Sequence, residues 1–79
     1  MKIIGYTAIV WKESAGYVSK CPEIGVASCG NTFDDAVRNL REAVELYLEN
    51  AQELGMIEDI EESLTAREKF TAHLEATLH

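Results

Sequence analysis

The sequence predicts an α+β fold class: a four-stranded mixed sheet in the order 3-2-1-4 with one main helix packed on one face, and elements running β-β-β-α-(α)-β. Three observations predict it. Residues 2–29 split into apolar, strand-forming runs punctuated by Gly and Pro. Residues 33–54 carry an apolar stripe of helical period. Residues 70–78 alternate apolar and polar side chains. The 79 residues fit one domain, 1–79.

Lys2 to Lys12 reads as the first strand. Tyr6, Ala8 and Val10 share one side, and Ile3, Thr7, Ile9 and Trp11 share the other. Both sides are apolar, which predicts a central strand covered on each face. Glu13-Ser14-Ala15-Gly16 is a turn, with Gly16 free to take positive φ. Tyr17 to Cys21 returns as the second strand. Pro22 ends it, because proline cannot donate to a ladder. A bend at Pro22-Glu23-Ile24-Gly25 leads to a third strand, Val26 to Cys29, closed by Gly30-Asn31.

Thr32 is the predicted helix N-cap, with Asp35 in the capping-box position and Asp34 beside it at the positive end of the dipole. Val37, Leu40, Val44, Tyr47, Ala51 and Leu54 form the apolar stripe, widened by Phe33, Ala36, Ala43 and Leu48. Gly55 stops the helix at C′. Ile57, Ile60 and Leu64 have the spacing of a short second helix. Phe70, Ala72, Leu74, Ala76 and Leu78 then alternate with Thr71, His73, Glu75 and Thr77, which favours a fourth strand over the rival terminal helix capped by Thr65. A right-handed crossover would lay that strand parallel to the first.

The net charge is −7 and is unevenly placed. Residues 1–31 hold three Lys and two Glu, and residues 32–79 hold four basic and twelve acidic residues. Such a chain does not attract phosphate backbones, so direct nucleic-acid binding is not expected. A basic protein is the better electrostatic match. The rival reading is that acidity only keeps a small domain soluble. No membrane-length apolar run and no signal-peptide pattern is present, and two cysteines are too few for a disulfide scaffold. The expected location is cytoplasmic. A domain of this size buries only roughly 60% of its unfolded surface, so a homo-oligomer is expected.

Catalytic chemistry finds no support. Cys21 and Cys29 lack a CxxC companion, and His73 and His79 lie far away, so no zinc set is expected. No nucleophile motif surrounds any Ser or Cys. Asp34, Asp35, Glu58, Asp59, Glu61 and Glu62 read as helix-end acids and a solvated charge run, with no strand acids to complete a two-metal cleft. The glycines match no phosphate cradle. No catalytic, cofactor or metal residue is assigned, and no cofactor is expected. What remains is surface. Ile3, Ile9 and Trp11, with Tyr17 as a further aromatic anchor, are the candidate partner or oligomer interface. The rival is that Trp11 lies over its own turn.

The stretch Gly16 to Glu49, GYVSKCPEIGVASCGNTFDDAVRNLREAVELYLE, followed by FTAHLEATL at 70–78, resembles the N-terminal domain of HicB-type antitoxins. The order of its pieces carries the resemblance: GYV, then CPE with a GVAS turn-strand, then a G-N-T cap and the NLREAVELYLE helix. The resemblance implies a partly degraded ribonuclease-H-like fold and a homo-oligomer, dimer or tetramer. It also implies a partner, a small basic HicA-type ribonuclease toxin silenced by occlusion. Many members append a helix-turn-helix or ribbon-helix-helix DNA-binding domain. Residues 1–79 contain none, so operator binding is not expected of them. The alternatives are a stand-alone protein-interaction module without a toxin and a residual metal-dependent nuclease.

Overall fold

The computed structural model describes residues 4–78. Its elements are β1 (Ile9–Glu13), β2 (Gly16–Cys21), β3 (Val26–Gly30), α1 (Phe33–Glu53) and α2 (Ile57–Thr65). The three strands form one antiparallel sheet in the order β1-β2-β3. The α+β class holds. The four-stranded sheet of order 3-2-1-4 does not, and β2 rather than the first strand is central.

Two physical reasons account for the correction. The first strand is short because its partner runs out. Ile9 pairs with Lys20, and one step further β2 reaches Cys21 and the turn at Pro22. The Thr7 amide donates instead to the Glu23 carboxylate, at 3.1 and 3.0 Å. Residues 4–8 therefore lie outside the ladder. The expected fourth strand is unpaired chain. Phe70, Leu74 and Leu78 are 87%, 86% and 94% exposed. Period-two alternation reports which side of an extended segment is apolar, and does not report what that side meets.

α1 begins where Thr32, in extended conformation, accepts from the Asp35 amide at 3.0 Å. It ends in a Schellman arrangement. Gly55 has φ +71°, its amide donates to Gln52, and the Met56 amide donates to Ala51. Ala36, Leu40, Val44 and Ala51 are buried at helical spacing, while Tyr47 and Leu54 of the expected stripe lie at its exposed margin. Cys21, Leu40 and Val44 form the core, with Tyr6, Ile24, Val26 and Leu48 packed around it. Leu64 brings α2 in as a further buried side chain.

The helix lies close to the sheet. The Ser19 hydroxyl, fully buried, donates to the Ala36 carbonyl at 2.9 Å. The Asn39 amide donates to the Cys29 carbonyl at 2.8 Å. At Gly30 a Cβ would stand 2.5 Å from the Ala36 nitrogen and 2.7 Å from Asp35. Gly30→Ala is therefore expected to push the start of α1 off the sheet and to cost on the order of 1–3 kcal/mol, the usual range for overpacking. Gly5→Ala, with nothing within 4 Å of the new Cβ, is the control and should melt like the parent. Thermal denaturation of both variants checks this.

Candidate interaction surface

One face of the sheet has no helix on it. Ser19 and Cys21 point toward α1, so alternate residues of β2 point away. The register then assigns the open face. Trp11, Val18 and Cys29 stand in one row across it, and Ile9, Lys20 and Ala27 stand in the next. Trp11 and Ile9 are 41% and 39% exposed. The Trp11 indole nitrogen donates to Glu13 at 2.8 Å, which fixes the ring at the β1 end of the hairpin.

The structure brings Ile9 and Trp11 together, as the sequence indicated. Tyr17 is placed elsewhere. It pairs with Lys12 and Gly30, on the side that carries Ser19, and the Lys12 ammonium lies 5.9 Å from its ring centre. Ile3 lies outside the described residues. Val18, Ala27 and Cys29 are the members that sequence reasoning missed. Strand parity counted from Ser19 and Cys21 finds them, once those two are known to face the helix. A shallow depression of about 290 Å³ beside this row is lined by Glu13, Ala15, Tyr17, Val18 and Cys29 among others.

A second cluster sits at the other end of the sheet. The Glu23 carboxylate accepts from the Thr7 amide, from the Thr7 hydroxyl at 2.8 Å, from the Lys69 ammonium at 2.9 Å and from the Cys21 thiol at 3.3 Å. Lys69 also donates to the Gly5 and Leu64 carbonyls. This carboxylate, only 8% exposed, joins residues 4–8, the β2–β3 turn and the chain after α2. Burial alone would raise its pKa. The bonds from Lys69 and Thr7 outweigh burial and hold the carboxyl at about 2, against an ordinary 4.5. Burial also pushes the Cys21 thiol up, and its bond to Glu23 adds to the effect, so the thiol stays protonated and poorly nucleophilic. The cluster spends its acceptors on holding the fold together.

Among the described residues no group of three or more His, Cys, Asp or Glu could hold a metal ion. Cys21 and Cys29 are free thiols. No helix among them is long and apolar enough to cross a membrane. On the outer side of α1, Glu42, Glu45, Glu49 and Glu53 recur at helical spacing and are exposed. Glu58, Asp59 and Glu62 continue the exposed acids on α2. From residue 42 to residue 66 the chain has eight acids and no Lys or Arg.

The chain is similar to two proteins named UPF0150. It is 43% identical over 51 residues to one from Synechocystis sp., a match covering 62% of this chain and 65% of that protein. It is 40% identical over 42 residues to one from Helicobacter pylori, covering 52% of this chain and 58% of that protein. The chain thus spans about three-fifths of the length of these curated relatives. No family model and no solved structure matches it.

The Glu23 cluster sets a pH dependence. Unfolded, Glu23 protonates near 4.5; folded, it stays ionised down to about pH 2. Its contribution, on the order of 3 kcal/mol, is complete above pH 4.5 and is lost as the pH falls toward 2. Glu23→Gln should therefore be clearly less stable than the parent at pH 7, with the gap closing between pH 4.5 and 2. Urea denaturation across that range checks it, and parallel stability curves would contradict it.

Proposed function

We propose that the chain is an antitoxin of the HicB type, a non-enzymatic cytoplasmic protein that binds and occludes a small basic HicA-type ribonuclease. The observation that carries this reading is the acidic outer surface of α1 and α2, which runs from Glu42 to Glu62 without a basic residue. Carboxylates recurring at one-turn spacing on a helix suit a basic protein surface. Complementary fields of this kind speed encounter and exclude wrong partners more than they add raw affinity. The sequence resemblance supplies the identity of the partner class. The similarity to UPF0150 proteins is compatible with it and names no partner.

Occlusion asks little of the antitoxin beyond shape and charge. Its residues need only cover the toxin's catalytic groups, and no bond is made or broken by the antitoxin itself. The experiment is co-expression with a small basic HicA-type ribonuclease. Growth should be rescued and the two proteins should co-purify. Glu45→Lys with Glu49→Lys should slow association about tenfold or more at low salt, with the difference shrinking in high salt. Failure of the parent chain to rescue growth or to bind that protein overturns the reading. Equal association rates for parent and variant overturn the assignment of the acidic surface.

A further inference from the structure

Residues 70–78 carry no regular secondary structure, and their side chains are exposed throughout. Their apolar members, Phe70, Ala72, Leu74, Ala76 and Leu78, alternate with polar ones, so an extended conformation would gather them on one side. Three of the most exposed large apolar side chains in the described chain are on this one arm. The arm is fastened at its base, where Lys69 is held by Glu23, Gly5 and Leu64. The open sheet face, meanwhile, shows Ile9, Trp11, Val18 and Cys29 to solvent. One molecule thus carries an arm with exposed apolar side chains and an apolar face, and its own arm does not cover its own face.

We infer that the two are complements between copies: residues 70–78 of one molecule lie across the open sheet face of a second, reciprocally, in a two-fold dimer. Phe70, Leu74 and Leu78 face Ile9, Trp11 and Val18 of the other copy. Length permits it. Nine extended residues reach roughly 30 Å, and a three-stranded sheet is only about 10 Å wide between its outer strands. Area permits it as well. Two arms carrying three large apolar side chains each, with the surface they cover, bury on the order of 1,500 Å², within the range of stable interfaces. Reciprocal exchange of an identical segment is an isologous contact and closes at two subunits.

Charge favours the same arrangement. The acids of α1 lie on the side of the helix away from the sheet. The arm carries only Glu75 among Asp, Glu, Lys and Arg, and on the face Lys20 balances Glu13. Two chains of net charge −7 therefore meet through their least repulsive surfaces. Pairing the arm at a sheet edge would leave Trp11, Val18 and Cys29 bare, whereas lying flat covers them. The arm's N–H and C=O groups then point sideways into water and stay solvated.

The chain contains its own reporter. Cys29 is exposed on the open face, and Cys21 is buried. In sedimentation velocity at tens of micromolar, the parent should run as a dimer, and Cys29 should react slowly with iodoacetamide. Full-length Phe70→Ser with Leu74→Ser should run as a monomer, with Cys29 alkylated at least tenfold faster and an unchanged circular-dichroism spectrum. Trp11→Ala, changed on the receiving face, should shift the equilibrium the same way. A monomeric parent overturns the proposal, whether Cys29 is open or shielded by its own arm. A dimer that survives the double substitution with Cys29 still protected also overturns it. Both variants should still bind a HicA-type ribonuclease through α1 and α2, so loss of the dimer and loss of the toxin partner are read separately.

Discussion

The approach of α1 to the sheet governs most of what the molecule can present. Gly30 has no room for a Cβ, and the buried Ser19 hydroxyl reaches the Ala36 carbonyl at 2.9 Å. A helix seated that closely buries Ala36, Leu40 and Val44 and spends its apolar stripe on one side of the sheet. No second layer among the described residues covers the other side. The open face is therefore a consequence of having one long helix and three strands, and Trp11 and Ile9 are exposed because of it.

The Glu23 cluster supplies what the core does not. A chain of this size has little apolar surface with which to hold segments outside regular structure. Residues 4–8 have no strand partner, and the chain beyond α2 has no helix. One buried carboxylate ties both to the β2–β3 turn through Thr7 and Lys69. It is stable as an anion because bonds from an ammonium, a hydroxyl and amides together outweigh the cost of burial. The cluster also fixes where the 70–78 segment departs from the body.

Much of this was legible in the sequence, and the failures have specific causes. The Thr32 cap, the Gly55 stop, the hairpin turn at 13–16 and the short helix at Ile57 were readable because each depends on neighbours a few residues away. The pairing of Ile9 with Trp11 on one face followed from strand parity. The centrality of the first strand was misread. Its apolar residues do face both sides, but Val10 goes to the helix side while Ile9 and Trp11 go to an uncovered one. Two-sided apolarity therefore marked an edge strand with an exposed face. The fourth strand failed for a related reason, since alternation carries no information about pairing. Glu23 was read as a turn residue beside Pro22 because its partners lie 16 and 46 positions away.

The two exposed surfaces differ in the physics that would fill them. The outer side of α1 and α2 is charged, and attraction there acts over a Debye length, about 8 Å at physiological salt. The sheet face is apolar, and burial there is driven by water release, which added simple salt does not screen. The outer side of α1 and the open sheet face lie on opposite sides of a two-layer arrangement, so covering one does not obstruct the other. A chain built this way can hold a copy of itself by its sheet while its helices remain open to a basic protein. The dimer would then present two acidic surfaces facing outward, and each helix layer would meet its partner independently. A single open face with the carboxylate run of α1 placed beside Trp11 would instead have forced self-association and partner capture to compete.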